Sequence, residues 1–96
     1  MTQATVRDNK VLQRYEIVAE EELEGYLEYQ RLGDELVIVH AAVFPGALGL
    51  GYASELIKSV LDDARREKTP VVVVCPFVTQ WLTRHPEYHD VEVRSL

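Results

Sequence analysis

The spacing of apolar positions along this chain changes period part-way. From Leu23 to Leu32 the residues alternate: Leu23, Gly25, Leu27 and Tyr29 share one face, and Glu24, Tyr26, Glu28 and Gln30 share the other. A period of two predicts a strand with one wet face. Ahead of it, Val11–Val18 mixes polar and β-branched residues and predicts a second strand, joined through the acidic turn Ala19-Glu20-Glu21-Glu22. Gly33-Asp34 predicts a hairpin turn. Glu35–Val43 is nearly all apolar, which predicts a central strand covered on both faces. Three antiparallel strands in a meander therefore open the expected fold. Residues 1–10 are mostly polar and are expected to be frayed, leaving a single domain over 11–96.

Behind that meander lies Pro45-Gly46-Ala47-Leu48-Gly49-Leu50-Gly51, a loop with three glycines in six residues. Ala53, Leu56, Ile57, Val60, Leu61 and Ala64 then fall at i, i+3/i+4 spacing, with Glu55, Lys58, Asp62, Asp63, Arg65 and Arg66 opposite, so a central amphipathic helix is predicted. Thr69-Pro70 stops it. Val71–Cys75 reads as a fully buried strand closed by Pro76, and Phe77–Arg84 as a short helix with proline at its first turn. His85-Pro86-Glu87-Tyr88 ends that helix, and Val91-Glu92-Val93 suits an edge strand open to pairing with a second chain. The order β-β-β-loop-α-β-α-(β) predicts an α+β domain with a mixed β-sheet.

Composition narrows the classes. Ninety-six residues suffice for one domain, and 47% apolar with 27% charged residues is the balance of a globular chain. Ten Lys and Arg against sixteen Asp and Glu give a net charge of −6, which disfavours nucleic acid as a partner. The apolar runs are far short of the roughly 18–20 residues of a membrane helix. The first residues lack the basic and apolar parts of a signal peptide. A single cysteine forms no intramolecular disulfide. A cytoplasmic domain with no membrane partner is expected.

Candidate chemistry lies at three places. The glycine loop followed by a helix N-terminus can direct several N–H groups into one concavity and so bind an anion such as a pyrophosphate; it can equally be a plain turn. It is neither a P-loop nor a Rossmann fingerprint, since only Gly49-x-Gly51 is present. Cys75, at a strand's C-terminal end, is either a small buried hydrophobe or a reactive thiol with His40 as its neighbour. His40 in turn is either a core histidine or a base. The segment His85-Pro86-Glu87-Tyr88 is a helix stop or a pocket wall carrying a base. The three histidines form no zinc signature, so no metal is expected, and Trp81, four residues after Phe77, reads as core.

These pieces in this order resemble a known family. His40-Ala41-Ala42-Val43-Phe44-Pro45, the loop ending Leu48-Gly49-Leu50-Gly51-Tyr52-Ala53-Ser54, Cys75-Pro76-Phe77-Val78 and Arg84-His85-Pro86-Glu87-Tyr88 resemble the GNAT acetyltransferase superfamily, and within it the minimal single-domain YjdJ-type branch. The likeness runs from about Arg14 to Val91. It implies a GNAT-like fold and acetyl-CoA (CoA) as cofactor. The pyrophosphate would lie on Leu48, Gly49, Leu50, Gly51, Tyr52 and Ala53. The pantetheine arm would lie in the gap between strands ending near Val43 and Cys75, beside Pro76 and Phe77. It further implies acetyl transfer to an amine acceptor, of which a protein or peptide amine suits a chain without acceptor-covering helices. His40 and Cys75 are then the catalytic candidates: His40 as base with a backbone N–H near Val43–Phe44 as oxyanion donor, or Cys75 as an acylated nucleophile activated by His40. Two positions depart from the pattern. Gly46 stands where the superfamily loop carries Arg or Gln, and Ala42 stands where the branch carries a glutamate, so no carboxylate base is available at Ala42. That departure keeps a non-catalytic CoA-binding module or sensor as the alternative.

Overall fold

The computed structural model describes residues 4–96. Six strands form one sheet in sequential order: β1 (Ala4–Asn9), β2 (Arg14–Ala19), β3 (Glu22–Leu32), β4 (Glu35–Val43), β5 (Val71–Val73) and β6 (Val93–Ser95). The first four are antiparallel and the last two are parallel to β4. Two helices, α1 (Tyr52–Glu67) and α2 (Pro76–Thr83), make the β4–β5 and β5–β6 crossovers. The mixed α+β sheet expected from the sequence is therefore present.

The meander has four strands rather than three. Residues 4–9, expected to be frayed, form an edge strand in register with β2, Ala4 against Ala19 through Asn9 against Arg14. Their polarity suits an edge that holds by its ladder and by side-chain bonds such as Tyr29 Oη to Asp8 (2.7 Å) and Arg7 Nε to Glu16 (2.8 Å). The expected fraying of residues 1–3 lies outside the described residues. Val11 is 92% exposed in the β1–β2 turn, so β2 starts at Arg14 and not at Val11. The β2–β3 connection turns on Glu20 and Glu21, both with positive φ, the backbone that a tight hairpin demands.

Alternation on β3 is as the sequence indicates from Gly25 to Gln30, with Gly25, Leu27 and Tyr29 buried and Glu28 and Gln30 exposed. It does not hold at the start of the strand: the β2–β3 register slips by one residue, Glu24 has no partner on β2, and Leu23 and Glu24 are both half-buried. Leu27 and Tyr29 meet Ile17 and Tyr15 of β2, Leu36 and Ile38 of β4, and the α1 stripe Leu56, Ile57, Val60, Leu61 and Ala64 in one core. Val78 and Trp81 of α2 join the same core, and Trp81 Nε1 donates to Ser54 Oγ of α1 at 2.7 Å. Both helices thus cover one face of the sheet.

The two apolar strands are less buried than their composition suggests. On β4, Leu36, Val37 and Ile38 are covered, but Val39–Val43 are half-buried or exposed. On β5 the ladder stops at Val73, and Val74 is 42% exposed because the chain is already leaving the sheet toward Pro76. The edge strand expected at Val91–Val93 forms two residues later, with Val91 buried beneath it.

Candidate functional site

The feature that shapes the site is a bulge on β4. Tyr29 pairs with Ile38 and Glu28 with His40, so Val39 has no residue opposite it on β3. A bulge bends its strand and steepens the local twist. Here it falls where β4 and β5 part: their register covers only Leu36–Ile38 against Val71–Val73, and the last bond runs from Val74 N–H to Ile38 C=O at 2.9 Å. Beyond it β4 continues for five more residues with no strand on that side.

Hydrogen-bond parity states which groups face the opening. Phe44 N–H donates to Glu24 C=O on β3 at 2.9 Å, so by the alternation of an antiparallel ladder the N–H and C=O groups of Ala41 and Val43 point away from β3, toward the gap. Buried backbone groups need partners, so this edge suits an amide-bearing ligand. The oxyanion donor sought near Val43–Phe44 therefore narrows to Val43, because the Phe44 N–H is engaged.

The gap opens into a cavity of about 250 Å³ lined by Ala41, Ala42, Val43, Ala47, Leu48, Gly49, Gly51, Tyr52, Ala53 and Phe77. Its far end is the glycine loop. Pro45–Ala47 make a single 3₁₀ turn, and then Gly49 (φ +83°) and Gly51 (φ +78°) take left-handed backbone. A Cβ at either glycine would meet nothing within 4 Å, so backbone conformation rather than space calls for glycine there. Gly51 caps α1 without any side-chain bond, and the first N–H to find a helical partner is that of Glu55, to Gly51 C=O at 3.1 Å. The N–H groups of Tyr52, Ala53 and Ser54 are left at the positive end of the helix dipole. Apolar walls, a free backbone edge and an uncapped N-terminus fit the arm and pyrophosphate of CoA.

Of the residues expected to hold the cofactor, Val43, Leu48, Gly49, Gly51, Tyr52, Ala53 and Phe77 line this cavity. Leu50 does not; it turns to an adjoining hollow with Ala19, Glu20, Glu24, Gly46 and Tyr52. Pro76 also lies outside the lining, as the exposed first residue of α2.

The two catalytic candidates lie apart. Cys75 is buried in the helix-covered core, 7% exposed, as the cap residue of α2. No side-chain base is hydrogen-bonded to it among the described residues. His40 is exposed on the opposite, helix-free face, because the bulge reverses the parity that Leu36 and Ile38 would otherwise extend to it. There it neighbours the Tyr26 ring (centroids 6.2 Å apart), which also meets Phe44 (6.2 Å) and lies beneath the Arg14 guanidinium (5.1 Å). Arg14 is in turn bonded to Glu16, whose buried carboxylate also receives Arg7 and Asn9. Burial alone would raise the Glu16 carboxyl; the bonds from Arg14, Arg7 and Asn9 outweigh it and hold the group below the ordinary glutamate range.

His85 and Tyr88 serve the scaffold. The His85 ring stacks on Trp81 (3.6 Å, 7°) and its Nδ1 meets Trp81 C=O at 2.8 Å. Tyr88 donates to Asp62 at 2.9 Å, and its phenol is pushed up to about 12 by burial and then by that bond. Together they pin the end of α2 to α1, away from the cavity.

A sequence profile of the GCN5-related N-acetyl-transferase family matches residues 14–91. The chain belongs to that family. It is therefore an acyltransferase by class, and the matched span contains the bulged strand, the glycine loop, α1 and α2. The solution structure of a GCN5-like protein from Staphylococcus aureus superposes with a TM-score of 0.72 at 23% identity, covering 100% of this chain and 93% of that one. At that identity the likeness speaks for the fold, which is of the GNAT type. No protein of curated function matches. Among the described residues, no helix of this acetyltransferase-family chain is long and apolar enough to cross a membrane.

Sequence reasoning did not place Glu28 beside His40. Counting pairs outward from the Gly33-Asp34 turn sets Glu28 against Val39; the bulge moves it one residue further, opposite His40.

Proposed function

We propose that this chain is a cytoplasmic N-acetyltransferase that uses acetyl-CoA as donor and takes a primary amine, carried on a protein or peptide, as acceptor. The observation that carries this is the open β4 edge, where the Ala41 and Val43 backbone groups run directly into the left-handed glycines and uncapped start of α1. Bound there, acetyl-CoA would supply an activated acyl group at the gap. The Val43 N–H would face the negative charge developing on the acyl oxygen. His40 is the proton acceptor of this scheme: it stands on the helix-free face, from which an amine reaches the gap, and takes the proton that the ammonium group must lose before the amine attacks. As the new C–N bond replaces the thioester C–S bond, the second amine proton would leave with the departing thiolate. Direct transfer is favoured over acylation of Cys75, because Cys75 is buried among the core residues on the other face with no base beside it. The helix-free face leaves room for a macromolecular acceptor.

A second reading, a CoA-binding module without turnover, is favoured by Ala42, which offers no carboxylate at the gap. One titration separates the possibilities. Addition of acetyl-CoA should shift the amide NMR signals of residues 41–43 and 48–53, and free CoA should shift 48–53. Binding without acetylation of any amine in a peptide and small-amine panel would favour the module. No shift at millimolar ligand would overturn both readings.

A further inference from the structure

The helix-free face carries a carboxylate that no side chain among the described residues engages. Glu28 on β3 is directly opposite His40 on β4, a pairing that sets Cβ atoms about 5 Å apart on one face. Its register partner on the other side, Arg14 of β2, is an obvious counter-ion. Yet Arg14 is turned away: its Nε is 2.6 Å from the Glu16 carboxylate, and its guanidinium lies over Tyr26. Glu16 is itself 2% exposed and also bonded by Arg7 and Asn9, so the Arg14 charge is committed to a buried carboxylate rather than to Glu28. Glu28 is left exposed, with no ion pair or side-chain hydrogen bond among the described residues. Two residues along β3 on the same face is Tyr26, opposite Ala42 at the lip of the gap; its ring neighbours His40 on one side and Phe44 on the other.

We propose that Glu28 supplies from β3 the acceptor-side carboxylate that β4 lacks at Ala42, holding the acceptor's ammonium group next to His40 while Tyr26 and Phe44 receive its aliphatic stem. This rests on the acetyltransferase reading for its consequence, but the binding itself does not. The ligand chemistry is an alkylammonium group, either on a lysine side chain or on a small amine.

The test titrates wild type, Glu28→Gln and Glu28→Asp with butylammonium chloride and with an N-blocked lysine peptide, with and without free CoA. The His40 ring and Glu28 amide signals are followed, with butanol as the neutral control. Wild type should show saturable shifts at both residues, Glu28→Gln should bind about three- to five-fold more weakly, as expected for loss of a solvent-exposed charge contact, and Glu28→Asp should recover part of the loss. Butanol should leave both signals in place. Tighter binding of the peptide assigns the site to a protein acceptor, and equal binding to small amines. Equal affinity of wild type and Glu28→Gln, or no response at Glu28 and His40, overturns the proposal. Failure of CoA to shift residues 48–53 while butylammonium still binds would sink the acetyltransferase reading alone.

Discussion

Gly25→Ala is the substitution for which the fold makes the firmest demand. Gly25 is buried on β3 opposite Val43, and a Cβ there would stand 2.7 Å from the Ala42 carbonyl oxygen and 3.2 Å from Val43 Cα. Both neighbours are backbone, so relief requires β4 to move rather than a side chain to rotate. Overpacking of this kind costs about 1–3 kcal/mol. Against it stands about 0.4–1 kcal/mol gained by restricting the unfolded chain, because Gly25 does not have a positive φ. The net expectation is a loss of about 1–2 kcal/mol, or roughly 5–15 °C in Tm for a domain of this size. Gly46→Ala is the control: it meets nothing within 4 Å, has no positive φ, and should be neutral or slightly stabilising. Thermal and urea unfolding followed by circular dichroism measure both. Because the displaced atoms belong to Ala42 and Val43, CoA affinity should fall with stability in Gly25→Ala alone. If Gly25→Ala melts with Gly46→Ala, the close approach of β3 and β4 is not what requires glycine.

Two further outcomes follow from charge and burial. Glu16→Gln should cost about 2 kcal/mol at neutral pH, a charged hydrogen-bond network discounted for the 63% exposure of Arg7. The folded Glu16 carboxyl binds its proton more weakly than the unfolded one, so its contribution is complete above the ordinary value of 4.5 and is lost as pH falls through the lowered folded value. Urea midpoints of wild type and variant should therefore converge in acid; a constant difference down to strong acid would refute the role. Tyr29 and Tyr88 have phenols pushed up to about 12, by burial first and then by bonds to Asp8 and Asp62. Stability should be unaffected by them below pH 10 and should decline between pH 10 and 12 as the unfolded phenols ionise first. An ultraviolet titration in which both ionise near pH 10 without unfolding would contradict this.

What the sequence disclosed depended on how strongly each element's side chains record its surroundings. The α1 stripe and the β3 alternation were legible because each buries one face only. β1 was not, since Val6 is its one apolar residue packed against the core, and ladder bonds and ion pairs hold the rest. The valine run at Val71–Val74 gave no sign of where pairing would stop, because β-branched composition is the same on either side of a strand's last bond. The glycine loop was visible through its glycines and through the likeness of the motifs, and seven of the nine residues proposed to hold the cofactor line the cavity. The separation of His40 from Cys75 was invisible: a uniform period through β4 would put His40 on the face of Ile38, and one unopposed residue reverses it.

That unopposed residue has an implication for how such a site is gained or lost. The opening beside β4 depends on chain length at Val39 more than on the identity of any wall residue. Loss of a single codon there would restore an unbroken ladder, leave His40 outward and Ala41 inward, and allow β4 to run straight past residue 73. A gap encoded this way is a matter of insertion and deletion, and a comparison that scores only substitutions would overlook its disappearance.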